Sequence, residues 1–373
     1  MDTPVGRTTY SYDDAGRVVS VDAPEAGEIT LKYDAAGRLV KSVSGAGEQT
    51  WEYRDGQMVT HRRVSQEGES STTQVSYDAA GRVASVDESD GGLTVYSYDE
   101  ASQLVGSKNS GAEHMDRTWV YDVAGRLVRE SRDGVEFSYT YDVASQLLSV
   151  VGSDGSEASF VYDGLGRRVR EVRADGSVRE FAWGPTGFVE SVATEDADGG
   201  SVSAVDVWVD VTGEPRRVNG TGLCWDSASV VPALAGIGQM SVVASVAGVA
   251  VGDSWSVAGW KPARVTEVSD PWSVPVVGAD VAGFLGQGSA VGLTAGGALS
   301  LGGLEWMGAR VFDRGSRGFL SVDPLDPVVG AGWSGNPYSF AGNDPVGALD
   351  PLGLSPMSAD ELHAYTEAHK SPL

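Results

Sequence analysis

The chain has 373 residues, 41% of them hydrophobic, with 50 Gly against 15 Pro, enough for two or three domains or one extended array with a sizeable core and many tight turns. Its 52 Asp+Glu against 27 Lys+Arg give a formal charge of −25, which repels nucleic-acid phosphates and anionic membranes and argues against a DNA- or RNA-binding role. A single cysteine, Cys224, excludes an intrachain disulfide framework, and His61, His114, His363 and His369 show no metal-ligand spacing, so neither metal nor cofactor is expected.

Residues 1–20 lack a basic start followed by an apolar run, so no signal peptide is visible. A repeat begins instead. Tyr12 opens YDDAGRVV, Tyr33 YDAAGRLV, Tyr77 YDAAGRVA, Tyr98 YDEASQLV, Tyr121 YDVAGRLV, Tyr141 YDVASQLL and Tyr162 YDGLGRRV. A degenerate copy, Tyr53-Arg54-Asp55-Gly56, splits the one long gap, and Trp183 and Trp208 continue the series. A period near 21 residues, carried through about nine units over residues 8–220, is the mark of a repeat architecture.

Two residues before each of these aromatics as far as Trp183 stands another apolar or aromatic residue: Tyr10, Leu31, Trp51, Val75, Tyr96, Trp119, Tyr139, Phe160 and Phe181. That alternation is a strand with one buried face. Asp then opens a four-residue turn and accepts backbone N–H groups, while Gly closes it with positive φ. The chain leaves as a second strand. Each unit is therefore a β-hairpin, and successive hairpins pair into one antiparallel sheet. Where Gly-Arg is replaced by Ser102-Gln103 or Ser145-Gln146, positive φ is costly, and a changed turn type is expected. The recurring Tyr, Asp and Arg are read as packing, turn and edge-covering residues rather than a repeated binding site.

From residue 222 to 298 the repeat fades into Gly, Ala, Val and Trp with few charges. Trp225, Trp255, Trp260 and Trp272 are expected to core further, less regular strands. The run SVVASVAGVAV alternates as a buried strand pair, not a membrane span. The texture changes again at LEWMGARVFDRGSRGFLSVDPLDP and NPYSFAGNDPVGALDPLGLSP. Past Pro356, Ser358 and Glu361 make a capping box for a short helix.

With its YD units, this closing block resembles the Rhs/YD-repeat family, specifically the repeat-associated core domain of polymorphic toxins. MGARVFD, RGFLSVDP, NPYSFAGNDPV and DPLGL carry the resemblance, which covers nearly the whole chain. It implies a mainly β fold: a spiralling antiparallel sheet of YD hairpins forming a hollow partial shell, closed by a core plug. The divisions expected are a YD array over 1–221, an irregular β continuation over 222–298, a core or plug with a cleavage motif over 299–356, and the start of a truncated variable toxin region over 357–373. Nine units make a small shell, and any cavity in so acidic a chain would suit a cationic cargo.

The resemblance also implies a single aspartyl-type self-cleavage, here at Leu354–Ser355, that detaches a C-terminal effector. Two carboxyls sharing a proton can act as base and acid, and the matching positions are Asp323 and Asp350. Arg317 matches an arginine that polarises the oxyanion or holds a carboxylate ionised, although here it precedes Gly318 where the family has Gly before Arg. Asp326 and Asp344 are further Asp-Pro aspartates that could be mistaken for the site, and every Asp-Pro pair is also an ordinary turn starter. The expected partners are a C-terminal toxin domain and its immunity or delivery proteins, with no nucleic acid and no membrane span, and the location is secreted or cell-surface. The competing reading is a non-enzymatic cell-surface YD array used in adhesion.

Overall fold

The computed structural model of the chain describes residues 2–3, 6–111, 116–226, 231–257, 267–276, 291–294, 296–358 and 361. A 25-stranded antiparallel sheet runs from Thr9–Tyr12 to Ser254–Val257 in sequence order, each strand pairing with its chain neighbours. Among the described residues no ladder joins its first strand to its last, and the sheet is not closed into a barrel. No helix among them is long and apolar enough to cross a membrane, which says nothing about strands.

The repeat letters each have a place. In the turn after Tyr12, Asp13 Oδ1 accepts the Ala15 and Arg17 amides at 3.0 and 2.9 Å, and Gly16 takes φ 75°. Arg17 then pairs with Asp13 at 2.7 Å, and Arg38, Arg82, Arg126 and Arg167 pair with their own turn aspartates at 2.6–2.7 Å. The same guanidinium lies over the aromatic ring of the following unit. Arg17 on Tyr33, Arg38 on Tyr53, Arg82 on Tyr98, Arg126 on Tyr141 and Arg167 on Trp183 stand 4.7–5.4 Å from the centroids. The arginine is thus a joint between units, more than a cover for the sheet edge.

A second joint runs beside it. The hydroxyls of Tyr33, Tyr53, Tyr77, Tyr98, Tyr121 and Tyr141 donate to the first strand carbonyl of the preceding unit, Val18, Leu39, Met58, Val83, Leu104 and Leu127, at 2.8–3.0 Å. These tyrosines are half-buried, whereas the aromatics two residues earlier, from Trp51 to Phe181, are buried on the inner face.

The Ser-Gln turns depart from expectation. Ser102 and Ser145 hold φ 63° and 62°, so the turn type is unchanged. Asp99 Oδ1 still accepts the Ala101 and Gln103 amides, each at 2.9 Å, and Gln103 Nε2 donates to Asp99 Oδ2 in the arginine's place. The aspartate cage and the sheet on either side impose the left-handed residue whatever its side chain. The degenerate copy uses a two-residue turn, Asp55-Gly56, with φ 51° and 88°.

After residue 222 the strands shorten. The run SVVASVAGVAV forms the buried hairpin Met240–Ser245 with Gly248–Val251. Trp225 and Trp255 sit in strands as expected, but Trp272 is buried in a turn, and Trp260 lies outside the described residues. The sheet curls until Val243, Ala247 and Ala250 pack on Val21, Ile29 and Leu31 of its opening strands.

A second sheet of five short strands, from Val291–Leu293 to Gly318–Phe319, lies inside the curl. Its Leu293, Leu301, Trp306 and Val311 pack on wall residues Val192, Val207 and Val218. Phe312, Phe319 and Phe340 pack with Trp119, Tyr139 and Phe160. The block's apolar residues and the inward aromatics of the wall thus bury each other. A cavity of about 20 Å³ between Arg168, Ser316 and Tyr338 has room for about one water.

Candidate functional site

The final block begins with a hairpin, Leu304–Met307 and Arg310–Asp313, whose strand residues are all buried. Arg310 is the cation of that hairpin. Its guanidinium carbon stands 3.7 Å over the Phe319 ring, and Nη2 reaches Asp323 Oδ2 at 2.9 Å and Asp350 Oδ2 at 3.3 Å. Asp323 and Asp350, 27 residues apart, are thus brought to one nitrogen.

Asp350 is buried, and that burial, opposed by Arg310, pushes its carboxyl up to about 6. Its Oδ1 accepts the Leu354 amide at 2.8 Å, and the Ser355 amide also hydrogen-bonds to the carboxyl. The two residues of the expected junction therefore lie on the aspartate four and five positions before them. Their turn is clamped at its base, where Leu349 and Met357 exchange both backbone hydrogen bonds at 2.7 Å. It is held from the side by Leu352 O, which accepts from Ala309 N at 2.9 Å, and by Gly353 O, which accepts from Arg310 Nε. Gly353 has φ 63°, and a Cβ there would strike the Met307 carbonyl, so the close approach needs glycine.

Arg317 is not at this site. It is buried with φ 61°, its Nη2 2.6 Å from Glu130 and its Nη1 3.0 Å from Asp270. The arginine facing both aspartates is Arg310, seven residues earlier. The one-residue shift around Gly318 turns Arg317 toward the wall, where it neutralises a glutamate that burial alone would push up and that Arg317 instead holds down. The sequence carried a signal for Arg310: an arginine in the apolar stretch EWMGARVF, patterned as a buried strand, needs an anion beside it. Asp326 is exposed, and Asp344 caps a turn through the Gly347 amide at 2.8 Å, so neither joins the cluster.

A second buried ion group ties the same hairpin to the wall. Asp313 meets Arg168 at 2.6 Å and Arg179 at 3.4 Å, and Ser316 Oγ donates to it at 2.8 Å. Burial raises Asp313, but Arg179 and Arg168 outweigh it and hold the carboxyl at about 2. Arg168 also touches the Tyr162 hydroxyl at 3.3 Å, the one YD tyrosine from Tyr33 onward turned to a side chain of the wall rather than to a preceding carbonyl. The capping box forms, Ser358 N donating to Glu361 at 2.7 Å and Glu361 N to Ser358 Oγ at 3.2 Å. Its helix beyond Glu361 lies outside the described residues, as do His363 and His369.

Residues 48–185 match the family model of the teneurin YD-shell, and within them stand the Tyr-to-carbonyl joints from Tyr77 to Tyr141 and the Arg-over-aromatic joints from Arg82 to Arg167. Over these residues the chain has the repeat of a YD shell. Among solved structures, this YD-repeat chain is similar to TcdB2-TccC3 without its hypervariable C-terminal region, at 14% identity and a TM-score of 0.46, over 94% of this chain and 24% of that one. It is also similar to a Photorhabdus luminescens Tc holotoxin pore structure carrying a TccC3 mutation, at 13% identity and a TM-score of 0.29, over 94% and 28%. The chain thus spans about a quarter of the length of these structures. No curated protein matches the sequence.

Proposed function

We propose that this YD-shell module is the closing end of a toxin carrier, and that it cuts itself once between Leu354 and Ser355 to detach its C-terminal segment. One observation carries the reading. Asp350, buried and raised to about 6, lies on the Leu354 and Ser355 amides while Arg310 links it to Asp323. Asp323 reaches solvent and acts as the base: it takes a proton from a water that adds to the Leu354 carbonyl carbon. Asp350, protonated, gives its proton to the Ser355 nitrogen as the C–N bond breaks. The products are a Leu354 carboxylate and a Ser355 amine. Arg310 holds the two carboxyls together and offsets their charge.

In this reading residues 1–221 and 222–298 are the wall, the block over 299–356 is the plug and carries the junction near its end, and the segment from Ser355 onward is the released part. The block is seated on the inner face of the wall, and in this role the module caps the carrier and presents an effector. Delivery to the outside of a cell, with an effector and its immunity or delivery proteins as partners, belongs to the same proposal. The test is the denatured intact mass of the purified chain beside an Asp350→Asn variant. Loss of Ser355–Leu373 from the wild type alone supports self-cleavage. A wild type that stays whole from pH 5 to 8 makes the aspartates turn residues and favours the adhesive array.

A further inference from the structure

Residues 336–343 form a strap between the rim of the wall and the aspartate pair. On one side, the Pro337 carbonyl accepts from Asp323 N at 2.9 Å and from Arg310 Nη1 at 3.3 Å, so one backbone oxygen sets the base and the arginine together. On the other side, the strap is bonded to the YD turns. Tyr338 OH donates to Gly166 O at 2.8 Å, and Asn343 Nδ2 donates to Gly125 O at 2.8 Å and to Gln103 Oε1 at 2.7 Å. Ser145 Oγ donates to the adjoining Gly335 carbonyl at 3.1 Å. The two turns that spell Ser-Gln are therefore turns on which the block is seated. Gln103 supplies an acceptor that the usual arginine lacks, and a Cβ on Gly332 would stand 3.4 Å from its side-chain amide carbon.

The strap is also strained. Ala341, Gly342 and Asn343 hold φ 50°, 61° and 63° in succession, a left-handed run that L-residues avoid. Such a turn persists only where its surroundings over-determine it, and segments of this kind gather at functional sites. Here the surroundings are the rim bonds of Asn343 and Tyr338 on one side and, on the other, the block's own contacts, Phe319 N on Tyr338 O at 3.0 Å and Phe340 packed on Phe312 and Phe319. Without the rim the strap keeps only its anchors within the block, and the left-handed run at its end loses its partners on the wall.

We propose that the rim of YD turns licenses the cut: Gln103, Asn343 and Tyr338 are positioning residues that bring Asp323, Arg310 and Asp350 into register only when the wall is complete. This rests on the cleavage reading above. A block that folded ahead of its wall would stay uncut, so the junction would be severed only in a chain whose shell has already formed.

Asn343→Gly tests it with the least disturbance, since glycine accepts the left-handed backbone while both rim bonds are lost. Gln103→Arg restores the common turn spelling and removes the acceptor, and Tyr338→Phe deletes one hydroxyl. Two quantities are read on the full chain, refolded from denaturant and checked by near-UV circular dichroism: the rate at which the 1–354 product forms, and the titration midpoint of the Asp350 carboxyl carbon by NMR. The expected result is a cut slowed about tenfold or more in each variant, with the Asp350 midpoint displaced from that of the wild type and the folded signature kept. Asn343→Gly and Tyr338→Phe chains that cut at the wild-type rate with the wild-type midpoint overturn the proposal. If the wild type is never cut, the function proposed above falls, and the Asp350 midpoint in the variants alone decides whether rim and site are coupled.

Discussion

Leu354 gives its backbone N–H to the Asp350 carboxylate at 2.8 Å, and the Ser355 N–H, which belongs to the bond that would be cut, also hydrogen-bonds to that carboxyl, which burial keeps partly protonated. The acid is thereby tied to the junction by the chain itself. Because Asp350 is pushed up to about 6, the cut should accelerate as pH falls through about 6 and slow above it. The check is the single-turnover rate from pH 4.5 to 8, beside an Asp323→Asn control that stays uncut throughout.

The same group makes stability depend on pH. A carboxyl raised from 3.8 to about 6 binds its proton more tightly folded than unfolded. Its stabilisation is complete below about pH 4 and is lost as pH rises through about 6, a change of about 3 kcal/mol. Asp350→Asn keeps the hydrogen-bond acceptor and removes the buried charge. Its denaturation midpoint should exceed that of uncut Asp323→Asn at pH 8 by more than at pH 4.

Arg310 and Arg317 should separate chemistry from scaffolding. Arg317→Met leaves Glu130 and Asp270 facing each other in the interior without their shared cation, a loss of about 3–5 kcal/mol, and fluorescence-monitored denaturation should show it. Arg310→Lys keeps a charge but cannot reach Gly353 O, Pro337 O and both aspartates at once. It should abolish the cut while costing less stability than Arg317→Met.

The repeat joints should behave as interchangeable parts. Tyr141→Phe removes only the hydrogen bond to Leu127 O at 2.8 Å and should lower stability by about 1 kcal/mol. Tyr162→Phe should differ, because its hydroxyl serves Arg168. Urea denaturation of the two variants side by side decides the point.

Ser102 holds φ 63° where other units have glycine. Ser102→Gly should therefore stabilise the fold by about 0.5–1 kcal/mol, less whatever the weak Arg82 contact to Ser102 Oγ at 3.3 Å contributes. A fall in the thermal midpoint would show that this contact outweighs the backbone strain.

The sequence by itself determined the hairpins, their order and their inner face. The period near 21, the apolar residue two before each Tyr and the Asp-to-Gly turn are local features, and local sterics and hydrogen bonds suffice to specify them. It also determined the Ser358–Glu361 capping box, which closes within four residues, whereas Asp323 and Asp350 were singled out only by the family resemblance of the closing block. Tertiary structure decided the rest. The turn at Ser102 kept its type because the aspartate cage and the paired strands fix φ there, not the residue's own preference. Arg310 replaced Arg317 beside the aspartates because which way a buried arginine faces depends on where its anions lie, and Glu130 is 187 residues away in the chain. The block packs against the wall because the wall curls until its aromatics meet those of the block. Contacts so distant along the chain leave no periodicity or spacing to read, and only the folded sheet brings them together.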